Sequence, residues 1–83
     1  MKLKLAVVLW EDAAMAEHED MSGTIFVTNT GWMLPHTKRD AIIKLASSVA
    51  ADGCWRDIMS IPKANIVKTI IMGKTELPFR GIR

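Results

Sequence analysis

The residues of this chain best suited to chemistry are its tryptophans and the cations beside them. Trp10, Trp32 and Trp55 stand in a sequence with no tyrosine and only two phenylalanines. An indole face stacks on a nucleobase while a neighbouring Lys or Arg meets the phosphate. Trp55-Arg56 is the best-placed pair, and Trp32, Lys38, Trp55, Arg39 and Arg56 together form the candidate ligand-binding set. The competing reading is structural, because an indole buries more apolar area than any other side chain and a small core needs that area.

Other reactive residue types lead to weaker chemistry. Glu17-His18-Glu19-Asp20 offers carboxylates and an imidazole to a divalent ion, but adjacent loop residues rarely converge, and zinc sites favour thiolates or several histidines. A solvated acidic loop is the reading, with no metal site. The two histidines, His18 and His36, are far apart in sequence, and Ser47-Ser48 reads as a polar strand face. With no Gly-rich phosphate loop and no nucleophile motif, a non-enzyme without catalytic residues or cofactor is expected. Cys54 stands alone, which excludes an internal disulfide, favours a reducing compartment and leaves the thiol as a small packing residue.

Size and charge bound the rest. A chain of 83 residues is one domain, and such a chain buries only roughly 60% of the surface its unfolded form exposes, so a homo-oligomer is an expected remedy. Five of nine acids fall in residues 11–20, which hold no Lys or Arg, whereas residues 21–83 carry nine basic and four acidic groups, a net of +5. The spread of Lys63, Lys68, Lys74, Arg80 and Arg83 reads as a solvated surface. Residues 1–16 imitate a secretory signal, but the apolar run Leu5 to Trp10 is short and ends at Glu11-Asp12. No run is long enough for a helix to cross a bilayer. A cytoplasmic protein is expected.

These side chains must be held by some scaffold, and the pattern favours strands. Leu3, Leu5, Val7 and Leu9 alternate with Lys and Ala, the period of a strand with one buried face. Residues 24–34 are rich in β-branched and aromatic types, with Gly31 as a bulge or bend. The stretch 54–72 reads as strand, turn, strand, broken by Pro62-Lys63-Ala64-Asn65, and the rest of the chain is expected to pack against it. Residues 13–20 have helix propensity but are too few to hold a helix alone. Residues 37–53 fit two patterns. Thr37 as cap, Asp40 in the first turn and Gly53 as stop describe an α+β fold with a helix at about 38–52. Alternation through Ile43, Leu45 and Val49, with Asp52-Gly53 as a hairpin turn, describes a strand.

A resemblance favours the strand. Trp10-x-Asp12-Ala13, Gly31-Trp32-Met33-Leu34, the Ala-Ile-Ile-x-Leu-Ala run, the Asp-Gly turn and Ile61-Pro62-Lys63-x-x-Ile66-Val67 resemble a group of small uncharacterised phage and prokaryotic proteins with an Sm-like or SH3-like barrel layout. The resemblance implies an all-β, five-stranded small barrel with strands at 2–10, 24–34, 41–50, 55–61 and 66–72, a 3₁₀ turn before the last, and a tail at 73–83. It further implies a phage or mobile-element accessory protein that acts by binding, inhibiting a host or defence protein or sequestering a small nucleotide ligand. Barrels of this kind also bind single-stranded nucleic acid on basic, aromatic surfaces, the alternative function.

Overall fold

The computed structural model describes residues 2–12 and 25–76. Every described regular element is extended except one turn. The strands are β1 (Lys2–Asp12), β2 (Ile25–Met33), β3 (Ile42–Ala46), β4 (Ser48–Val49), β5 (Trp55–Arg56), β6 (Met59–Pro62) and β7 (Ile66–Glu76), with a 3₁₀ turn at Lys63–Asn65. Five strands form one antiparallel sheet in the order β6-β3-β2-β1-β7, and β4 pairs with β5.

The seven pieces correspond to five expected strands, because two are bent. Ser47 interrupts β3–β4, and Asp57-Ile58 interrupts β5–β6. The bends face each other: Ser47 N–H donates to Arg56 O at 3.0 Å, and Ser47 Oγ–H to Asp57 Oδ2 at 2.9 Å. Asp57 lies at φ 52°, a region where Asp is among the more tolerant side chains.

No α-helix forms at 38–52. The cap chemistry read from Thr37 and Asp40 exists, but it closes a turn. Thr37 N–H donates to Asp40 Oδ2 at 2.8 Å, and Asp40 N–H returns to Thr37 O at 3.2 Å. Beyond it, Ile43, Leu45 and Ala46 are buried by pairing with β2 and β6, an outcome that a marginal local helix cannot match.

The organising strand is β1, not the 54–72 stretch. Flanked by β2 on one side and β7 on the other, β1 contributes Ala6, Val8 and Trp10 to a core completed by Ile43, Leu45 and Ile61. Of the isoleucines in 54–72 only Ile61 is in that core, while Ile58, Ile70 and Ile71 are exposed. Trp10 is anchored by its indole, whose Nε1–H donates to Asn29 Oδ1 at 2.7 Å.

Gly31 is a close approach, not a bulge, since the β1–β2 register runs unbroken through Ala6↔Gly31. A Cβ at Gly31 would lie 2.7 Å from the Ala46 carbonyl oxygen and 3.1 Å from Leu45 Cβ. Here the end of β3 lies close against β2.

The bulges are on β7. Trp10↔Ile66 is followed by Leu9↔Lys68, and Ala6↔Ile71 by Leu5↔Gly73, leaving Val67 and Met72 as extra residues. The second bulge carries the strand on to Glu76, so residues 73–76 belong to β7 rather than to a tail. Residues 13–24 and 77–83, which hold the expected acidic excursion and the remainder of the tail, lie outside the described residues.

Candidate functional site

Each sequence candidate has a definite place. Trp10 is core, whereas Trp32 and Trp55 are half-buried. Trp32 lies between Leu5 on β1 and Ala46 on β3. Trp55 pairs with Val49 and the exposed Arg56 with Ser48, both on the short hairpin. Lys38 and Arg39 are exposed in the turn closed by Thr37 and Asp40.

That turn precedes β3 and the hairpin follows it, so Lys38 and Arg39 lie at one end of β3 and Trp55 and Arg56 beyond the other. Five strand residues separate them, a span of about 16 Å. The candidate set therefore divides, with Trp32, opposite Ala46, on the hairpin's side of β3.

Both loops are locally braced. In the hairpin, Gly53 N–H donates to Ala50 O and Ala50 N–H to Cys54 O, each at 2.9 Å. Gly53 sits at φ 89°, giving a three-residue loop with the glycine in the left-handed region. Asp52 Oδ1 accepts the Cys54 N–H at 2.9 Å, and that backbone donor holds the Asp52 carboxyl below its ordinary range. Cys54 itself is exposed, so it is not the packing residue expected from its type. In the first turn the Thr37 N–H is the chief cause that lowers Asp40, with the Lys63 charge adding to it. Lys63 Nζ also donates to Thr37 O at 2.8 Å.

Two features were not among the sequence candidates. The first is basic. Lys2 and Lys4 continue the inward row of β1 past Ala6, Val8 and Trp10, and both are exposed. Lys4 is directly opposite Lys74 on β7 and opposite Met33 on β2. Residues so paired project from the same face of a sheet. Glu76 pairs with Lys2. A concavity of about 250 Å³ lies over Lys2, Lys4, Met33, Leu34, Pro35 and His36. It adjoins one of about 340 Å³ that shares Lys2 and Lys4 and reaches Lys74 and Glu76. A third, of about 360 Å³, shares Leu34, Pro35 and His36 and reaches Lys44. Sequence spacing could not join Lys4 to Lys74, because only the pairing of the first and last described strands does so.

The second feature is apolar. Among the described residues β7 pairs with β1 alone, so its other edge is open. Along it Val67, Ile70, Ile71 and Met72 are 53%, 43%, 41% and 62% exposed. An edge strand of this length and composition invites pairing, although its two bulges limit how much can pair flatly.

Among the described residues no group of three His, Cys, Asp or Glu side chains is arranged to hold a metal ion, and no helix is long and apolar enough to cross a membrane. No protein-family model, curated protein or solved structure matches the chain.

Proposed function

We propose that this protein is a non-catalytic accessory protein of a phage or mobile element that works by binding, and that the outer edge of β7 is its association surface. The observation that carries the reading is the outer edge of β7, unpaired among the described residues, with its exposed Val67, Ile70, Ile71 and Met72. Main-chain groups along such an edge supply hydrogen bonds, and the alternating side chains supply apolar area. Self-association through this edge gives the homo-oligomer, and a host or defence protein is the further partner. The accessory role and the setting in a host cytoplasm rest on the motif resemblance and the small size.

Native mass spectrometry of the protein as purified from cells tests the edge directly. The expected result is an oligomer that Ile70→Lys with Met72→Lys converts to monomer while circular dichroism keeps its strand signature. A wild-type monomer, or an oligomer unaffected by both substitutions, overturns the assignment.

A second reading, an anionic nucleotide or single-stranded nucleic acid as ligand, is favoured by one specific observation: the Lys4–Lys74 pairing beside a concavity lined by Lys2, Lys4, Met33, Leu34, Pro35 and His36.

A further inference from the structure

Lys2 and Lys4 share the alternating row of β1 that carries the buried Ala6, Val8 and Trp10, although at this end of the strand the buried residue is Leu3 of the other row. On β1 the inward row reads Trp10, Val8, Ala6, then Lys4 and Lys2. The first three are buried, so the last two extend the same face beyond the core to one end of the sheet. Across from Lys4 stands Lys74, a like charge at a directly opposed position, which is unfavourable in an isolated sheet. Lys2 is balanced by Glu76. The Lys4–Lys74 pair has no acid at its own register position on either neighbouring strand, the other partner of Lys4 being Met33.

Apolar residues lie beside this charge. Met33 packs against the core, and Leu34-Pro35 leads on to the exposed His36 along the same concavity. The backbone there is held, since Leu34 N–H donates to Lys44 O at 3.0 Å. Paired ammonium groups beside a small apolar floor suit an anion joined to a flat, weakly polar body.

We infer that the Lys4–Lys74 end of the sheet is a nucleotide-phosphate site, with Lys4 and Lys74 on the phosphate and Met33-Leu34-Pro35 beneath the base. The inference rests on the second reading above and is independent of the β7 edge, since the two use different faces of the molecule's contacts: an open main-chain edge in one, an inward side-chain row in the other. It moves the anion site away from Lys38, Arg39, Trp55 and Arg56. Free nucleotides and single strands share this chemistry.

The test is fluorescence anisotropy with a short fluorescein-labelled oligothymidylate at low salt, using wild type, Lys4→Gln/Lys74→Gln and Lys68→Gln. Lys68 is on the same strand but pairs with Leu9, in the outward row, so it controls for charge alone. The double variant should weaken binding by at least about tenfold, the scale of losing a charge-assisted contact. Its slope of log affinity against log salt should shrink by about 1.4, while Lys68→Gln stays near wild type. Competition by thymidine monophosphate at concentrations similar to those of the oligonucleotide identifies a free nucleotide as sufficient; competition by unlabelled oligothymidylate alone identifies a strand, and either supports the site. Binding that survives the double variant overturns the site but keeps the ligand class. No binding by wild type overturns both. A second measurement does not depend on variants folding: pyrophosphate should raise the wild-type thermal midpoint above that in chloride of equal ionic strength, and equal midpoints would count against the site.

Discussion

The indole of Trp10 and the side-chain carbonyl of Asn29 are joined across β1 and β2 by a 2.7 Å hydrogen bond. Trp10 is 8% exposed, and this partly buried hydrogen bond satisfies its N–H. Asn29→Val should therefore destabilise by about 1–3 kcal/mol, the cost of stranding a buried donor. Trp10→Ala should cost about 3–5 kcal/mol, adding the lost packing. Urea unfolding of both single variants and the double variant checks this, with the double costing less than the sum.

Two glycines should respond oppositely to the same change. Gly31→Ala places a Cβ 2.7 Å from a backbone oxygen, whereas a Cβ at Gly73 has nothing within 4 Å. The first should lose about 1–3 kcal/mol, typical of overpacking. Gly73→Ala should be neutral or slightly stabilising. Equal effects would remove the close approach of β2 and β3 as the reason for glycine.

At the hairpin tip, Gly53→Ala forces a Cβ into φ 89° and should cost about 1–2 kcal/mol. Gly53→Asn should be milder, because Asn tolerates that region. Thermal melts of the two variants give the order directly.

Acid should weaken the fold through Asp40 and Asp52. Both carboxyls are held below their ordinary range, chiefly by the Thr37 N–H and the Cys54 N–H respectively. A carboxyl lowered in the folded state contributes stability above its unfolded value, about 3.9, and that contribution disappears as pH falls through the lower folded value. Stability of the wild type should thus fall below about pH 4, and Asp40→Asn/Asp52→Asn should fall less steeply. Denaturant midpoints along a pH series check the difference.

Much of the scaffold was legible from local chemistry. The alternation of Leu3 to Leu9 marked β1 as a strand but pointed to the wrong face, since Ala6, Val8 and Trp10 are buried and Leu5, Val7 and Leu9 only half-buried; Pro62 marked a turn, and Asp52-Gly53 marked the hairpin. Residues 37–53 were ambiguous for a physical reason: Thr37 and Asp40 make the same bonds in a lone turn as in a helix cap. The end of β7 was missed because the extra residue at Met72 resets the alternation, so Lys74 falls opposite Lys4 and no single period spans both halves. The importance of β1 was underestimated because a central strand is recognised by its two neighbours, and its second neighbour is the last described strand. For the same reason the Lys4–Lys74 pair had no sequence signature, while Lys38 and Arg39, conspicuous as adjacent cations, lie across β3 from Trp55.

The pairing of β1 with β7 also bears on how the chain reaches its fold. Lys2 meets Glu76, so β1 is synthesised well before the strand that supplies its second flank. Until then β1 can form a hairpin with β2, but Val7, Leu9 and one row of its main-chain groups stay uncovered. Contacts this distant in sequence are slow to form, and at ~5–20 residues per second the ribosome needs several seconds to deliver the missing strand. Productive folding is therefore completed only once β7 has emerged, and a ribosome stalled short of β7 holds a sheet in which β1 has one unpaired edge.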